Sequence, residues 1–262
     1  MARDFGAEIE AHFQYMPERY FLAFNPPDIV GHIRFFRELF TEFTSPDFDP
    51  RLPLIRWIPR AEQGHSEVWF CTWDRPDLLW HIAGSLAAVP LNILSADIFT
   101  RQDNLVLDVF RVCDTKFNAV SNPKEMEMVA KTLSQSLTAE EFHFTPLIAR
   151  TRVKGQSMPQ DFDFPTRVRV NNDTNPLYSV VEVQCPDRLG LLYELLRAFS
   201  HLGVNIFTSR ITTEKGAAID TFYVNDEKGE KITDNIELNR LILALTQAVS
   251  QNRQRHSPIA LA

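Results

Sequence analysis

The stretch DRLGLLYELLRAFSHLGVNIFTSRITTEKGAAI, Asp187–Ile219, decides the fold, because DRPDLLWHIAGSLAAVPLNILSADIFTRQDNLV, Asp74–Val106, is an earlier copy of it. At a constant offset of 113, Asp74/Asp187, Arg75/Arg188, Leu78/Leu191, Leu79/Leu192, Asn92/Asn205, Ile93/Ile206, Ile98/Ile211 and Thr100/Thr213 are identical. Dropping one residue in the turn near Asp103 and Gly216 shifts the offset to 112 and adds Asp108/Asp220, Phe110/Phe222, Val112/Val224 and Asp114/Asp226. Twelve identities over about forty positions exceed the roughly one in sixteen that ordinary composition gives, so the chain contains an internal duplication.

Each copy has a readable period. Val181–Cys185 alternates apolar and polar, and Val68–Thr72 does so less cleanly, which predicts half-buried strands stopped by Asp187 and Asp74. Leu191, Leu192, Leu195, Phe199 and Leu202, and in the first copy Leu78, Leu79, Ile82, Leu86 and Val89, recur at helical spacing. Gly203 and Pro90 end these helices. Two β-branched runs joined by a polar turn then predict a hairpin in each copy, and helices over Pro123–Leu137 and Asn235–Gln251 close them. Strand, helix, strand, strand, helix is the split βαβ order of a ferredoxin-like sandwich, so the expected class is α+β.

The flanks add three expectations. Pro27–Phe43 reads as a helix with a bulky apolar face, to be packed on the first copy or on a partner. Each copy lacks a fourth strand; Arg167–Asn171, where Val168 and Val170 alternate with arginines, is the expected donor for one sheet, since Gln254–Ala262 is poor strand material. The expected division is a helical N-terminal segment and linker over 1–60, a first domain over 61–140, an inter-repeat segment over 141–173 and a second domain over 174–262. Their edge strands call for the two copies to pack together and leave homo-oligomerisation as an expectation.

Composition limits the chemistry. Net charge of −7 opposes nucleic acid and anionic membranes, no run of about 18 apolar residues spans a bilayer, and the charged start MARDFGAEIE is unlike a signal peptide, so a cytoplasmic location is expected. Cys71, Cys113 and Cys185 are too few for a disulfide framework and sit in apolar patterns. No histidine precedes an aspartate, the glycines form no Walker or dinucleotide loop, and the triplets Asp47-Phe48-Asp49 and Asp161-Phe162-Asp163 stand in proline-bearing linkers. No catalytic residue, metal site or cofactor is therefore assigned.

The element order, the turn Asp187-Arg-Leu-Gly-Leu-Leu192 and the strand opening Gly203-Val-Asn-Ile206 resemble the ACT domain. Two such domains after Ala11-His-Phe-Gln-Tyr-Met-Pro-Glu-Arg-Tyr-Phe-Leu22 are similar to the carboxyl-terminal region of the bacterial bifunctional uridylyltransferase/uridylyl-removing enzymes that modify the nitrogen-regulatory PII protein. The resemblance implies two tandem βαββαβ domains that sense a small amino acid, glutamine first, on behalf of a nucleotidyltransferase/hydrolase encoded separately or in missing domains. The other readings are a uridylyltransferase-family enzyme or fragment, and a dimerisation module that binds nothing.

For the ligand, free N–H groups at the helix start beyond Gly190 would face an α-carboxylate and Asp187 an ammonium. With the resemblance, the expected binding set is Asp187, Arg188, Leu189, Gly190 and Asn205, with Asp74 and Asn92 in the first copy. That copy departs by carrying Asp77 where Gly190 stands, a charge that repels a carboxylate.

Overall fold

The computed structural model describes residues 5–46, 48–154, 164–214 and 216–250. The triplet 161–163, Asp47 of the other triplet and the segment 254–262 lie outside the described residues. In chain order the described elements are α1 (Phe5–Tyr15), α2 (Glu18–Ala23), α3 (Pro26–Glu42), β1 (Leu54–Arg60), β2 (His65–Trp73), α4 (Leu78–Ala87), β3 (Leu91–Thr100), β4 (Leu105–Asp114), α5 (Pro123–Thr138), α6 (Thr145–Lys154), β5 (Arg167–Asn171), β6 (Ser179–Pro186), α7 (Leu191–His201), β7 (Asn205–Glu214), β8 (Ala217–Asn225) and α8 (Asn235–Ser250).

The strands form one antiparallel sheet of order β1-β2-β4-β3-β7-β8-β6-β5. Each copy supplies four neighbouring strands, and the strand, helix, strand, strand, helix order holds in both. Arg167–Asn171 pairs with β6, as its alternation predicts. The first copy's fourth strand, β1, lies in the stretch expected to be helical segment and linker; Arg56 and Pro59 interrupt its apolar run, and Pro59 is tolerated because β1 is an edge. Both fourth strands precede their repeats in the chain while occupying the place that the last strand of a βαββαβ unit takes.

The helices α4, α5, α7 and α8 cover one face of this sheet. Their apolar stripes close over Phe70, Phe110, Val181 and Phe222, a single core shared by both copies. On the opposite face, α1–α3 cover only the first copy: Tyr20, Phe35, Phe36 and Leu39 pack on Trp69, Phe99, Leu107 and Val109. Asn25 caps α3 by accepting the Asp28 amide at 3.0 Å, and Pro26 and Pro27 suit its first turn. This layer is also fixed by polar contacts. Tyr20 bridges His12 (2.9 Å) and His32 (2.8 Å), and buried Arg101 donates to Glu8 at 2.6 Å and to Asp103 while lying over the Phe36 ring. Burial lowers both imidazoles to about 3, with nearby cations adding to it, so the bridge is neutral at physiological pH. The helix expected from Pro27 therefore docks on its own repeat.

The segment between the repeats contains a helix, α6, that hydrophobic spacing does not announce: Ile148 and Thr151 are buried on it, among Arg150, Arg152 and other polar residues. Just before it, the Phe144 ring enters the helix layer and lies against Gly84 of α4, where an added Cβ would come within 2.7 Å of the ring. Thr151 then donates to Ala88 O at 2.8 Å. Gly84→Ala must displace Phe144 and should cost about 1–3 kcal/mol, read as a lower chemical or thermal midpoint with an unchanged far-UV spectrum.

Candidate functional site

The turns after β2 and β6 are built alike. Asp74 N donates to Asn104 O at 2.7 Å and Asp187 N to Gly216 O at 2.8 Å, and each turn then passes through a left-handed residue, Asp77 (φ 70°) or Gly190 (φ 77°). Aspartate tolerates that region better than most side chains, which is how the first copy manages without glycine. The environments then diverge. The Asp77 carboxylate accepts the hydroxyl of Ser200 from α7 on the exposed side of the first turn, where Asp77 also lines an open cleft. At the second turn Ile148 and Arg152 of α6 pack where a side chain on Gly190 would stand, and a cavity of about 40 Å³ lies beside the turn.

That cavity joins the two copies. Asp187, Arg188, Leu189 and Gly190 line it from the second turn, Asp220 and Ala218 from β8, and Leu91, Asn92 and Ile93 from the start of β3 in the first copy. The expected partner Asn205 is not part of its wall, nor is Asp74; Asn92 takes the place expected of Asn205. The reason is the sheet. Pairing of β3 with β7 brings the beginning of one copy's strand to the turn of the other, which no reading of a repeat by itself anticipates. A wider, open cleft of about 660 Å³ lies over Trp80, Tyr193 and Phe142 in the helix layer, and its charged lining is of both signs.

The polar wall of the smaller cavity is rich in acceptors. Asn92 Nδ2 donates away from it to Asp114 O at 3.3 Å, as Asn205 does to Asp226 O at 3.0 Å, so the amide hydrogens serve the hairpin and Asn92 Oδ1 is left as acceptor. Asp187 accepts the Arg188 amide at 2.8 Å and the Thr213 hydroxyl at 3.3 Å. Asp220, 2% exposed, takes the Thr212 amide on Oδ1 at 3.2 Å. Arg188 is the cation of the wall, with Nη2 held by Glu194 and by Ala248 O at 2.7 Å. Outside the cavity, Arg152 of α6 donates twice to Leu189 O, at 3.0 and 2.7 Å, and pairs with Glu194, strapping the turn to the inter-repeat helix. Sequence reading missed Asp220, Thr213 and Arg152; the identities Asp108/Asp220 and Thr100/Thr213 were the available signals for the first two.

Burial dominates the electrostatics. It raises Asp187 and pushes Asp220 up to about 8, the charge of Asp187 adding to the latter. The first copy repeats the pair: burial raises Asp74, and it raises Asp108 well above the carboxylate range with the charge of Asp74 contributing, while Asp108 Oδ1 has no hydrogen-bond partner. Cys71, Cys113 and Cys185 are buried, and burial raises all three thiols, Cys185 to about 12. Among the described residues no group of three His, Cys, Asp or Glu side chains is placed to hold a metal ion, and no described helix is long and apolar enough to cross a membrane.

A family profile described as "ACR9-like, ACT-like domain" matches residues 167–254, which begin at β5 and contain the second turn. The same architecture recurs in the first copy, which gives the fold of two ACT-like domains in tandem. The chain is a tandem ACT-like region. It is 32% identical over 204 residues to the bifunctional uridylyltransferase/uridylyl-removing enzyme of Rhodospirillum rubrum, covering 77% of this chain and 21% of that protein. With the enzyme of the same name from Ruegeria pomeroyi it shares 29% identity over 257 residues, covering 97% of this chain and 27% of that one. This ACT-like region thus spans about a fifth to a quarter of the length of the curated relatives it matches. A crystal structure of aspartate kinase from Synechocystis overlaps 63% of the chain and 24% of its own length at 15% identity and a TM-score of 0.33.

A carboxyl raised from 3.8 to about 8 keeps its proton in the folded state while the unfolded chain has lost it, so its contribution to stability falls as pH rises through that window. Asp220→Asn and Asp108→Asn should each gain about 1–3 kcal/mol at pH 8 and nothing near pH 4, measured by urea unfolding across the range.

Proposed function

We propose that this region senses a small amino acid at the cavity shared by the two repeats and reports its occupancy to a nucleotidyltransferase/hydrolase, in the same polypeptide or a separate one. The observation that carries the reading is the composite wall: a ligand touching both the Asp187–Gly190 turn and the start of β3 has contacts on both repeats, and Arg152 links the same turn to α6. A ligand alters an equilibrium only by binding one arrangement better than another, and a site made from two copies has such arrangements available. The uridylyl-transferring and uridylyl-removing activities named for the relatives supply the candidate outputs, and glutamine, the indicator of nitrogen supply, is the first candidate input. The cavity has the room of a few water molecules, so it receives one end of an amino acid while the side chain extends outward or the turn opens.

Calorimetric titration of the chain with glutamine tests this. Asn92→Ala should weaken binding about ten-fold or more through a lost polar contact, whereas Asn205→Ala, outside the wall, should leave affinity within about two-fold. Gly190→Asp, which introduces a carboxylate and strains the left-handed turn beside Ile148, should abolish binding. Equal effects of the two asparagine variants on stability with none on binding would assign both to hairpin closure and leave the dimerisation reading.

A further inference from the structure

We propose that the outer face of β5, β6, β8 and β7, the side of the second repeat turned away from α7 and α8, docks an acidic amphipathic helix of a partner protein. The place is the one that α3 takes on the first repeat. It lies across the sheet from the small cavity and is independent of the sensing reading.

The duplication carries the argument. The offset of 113 continues into the fourth strands, where Arg56 of β1 and Arg169 of β5 are identical between Ile55/Val168 and Trp57/Val170. Strand pairing puts the two at equivalent places, because Arg56 stands opposite Trp69 and Arg169 opposite Glu182, and Trp69 and Glu182 are offset mates. On the first repeat α3 answers this arginine. Glu38 pairs with Arg56, and Phe35, one turn earlier, has its ring centre 4.6 Å from the guanidinium. On the second repeat the arginine recurs without the helix.

Charge on the two halves differs in the same sense. The covered half matches its arginines with acids, Arg60 with Asp28 of α3 and Arg111 with Asp97. On the uncovered half Arg167, Arg169 and Arg210 are exposed, and none has an ion pair or a side-chain hydrogen bond among the described residues. Glu182 and Glu214 of the same strands leave positive charge in excess, on a chain whose net charge is −7. Such a face selects an anionic partner.

Its apolar content is reduced but not removed. Ile219, 43% exposed, is the mate of Leu107, which is buried under the N-terminal helices, while Thr212 and Thr221 replace Phe99 and Val109. A helix placed here finds one aliphatic contact within a polar, positive surround, which is the composition of a reversible interface. A second copy of the chain is a poorer occupant, since two such faces would set arginine against arginine. Nucleic acid is opposed by the net charge, and the occupant of the equivalent place on the first repeat is a helix.

Fluorescence anisotropy on the 262-residue chain tests this with two labelled peptides of the α3 sequence, Asn25–Phe43. The acidic probe carries Arg34→Glu and Arg37→Glu, the basic one Glu38→Lys and Glu42→Lys. The expected result is saturable binding of the acidic probe, with affinity about ten-fold lower for the basic probe and about ten-fold lower for the acidic probe in the chain variant Arg167→Gln/Arg169→Gln. Melting curves of that variant should match the unaltered chain, because both side chains are exposed and unpaired. Arg56→Gln, on the covered half, should leave the acidic probe within about two-fold. No saturable binding, equal binding of the two probes, or binding undiminished by Arg167→Gln/Arg169→Gln overturns the proposal. Loss of the acidic probe in Arg56→Gln alone means exchange with the docked α3 and overturns it as well. Tighter binding of a single-stranded DNA oligonucleotide at the same arginines assigns the face to nucleic acid, and self-association of the chain that their substitution abolishes assigns it to a second copy; either result overturns the helix reading.

Discussion

The structure depends on five residue pairs between β3 and β7, from Ser95↔Thr212 to Phe99↔Thr208. Asp97 faces Arg210, its own equivalent in the other copy, and the flanking pairs Ala96↔Ile211 and Ile98↔Ser209 are exchanged by the repeat offset. An approximate two-fold axis therefore passes through this junction. Two four-stranded sheets that would each expose an inner edge become one eight-stranded sheet whose edges are β1 and β5, and the helix layers are brought into one continuous core.

That symmetry is broken on the other face. α1–α3 cover the first copy's half and stop, and Arg19 of α2 reaches across the junction to Thr208 Oγ1 at 2.8 Å, with its guanidinium over Tyr223. The second half compensates by composition: Arg167, Arg169, Glu182 and Arg210 face outward where the first half presents Leu107 and Val109 to the helices. The added layer gives the first repeat a second apolar core, while the second repeat keeps the glycine turn and the cavity beside it.

Much of this is legible in the sequence. Offset identities and hydrophobic period carry the duplicated core, since both are local, and the alternation of Val168 and Val170 located β5. β1 was hidden by Pro59 and by being half-buried on both faces, and α6 by having only a narrow apolar contact. The turn residues were readable because strand ends and glycines are local signals. The pairing of that turn with Asn92 was not, because it depends on which sheet edges meet, a choice made by two surfaces about a hundred residues apart. The acceptor character of the wall was equally unreadable, since it follows from the Asn92 amide being spent on Asp114 O.

The unlike settings of the two turns carry a consequence for counting. Asp77 and its Ser200 contact stand at the solvent side beside the open cleft, whereas Gly190 borders the small cavity between the repeats, so the two copies of the turn serve different surfaces. On the sensing reading, a ligand held at the second turn alone gives one site per chain and a hyperbolic isotherm for a lone chain, whatever the symmetry of the scaffold suggests. Any steepness in the response has to come from contacts between chains or from the enzyme being regulated.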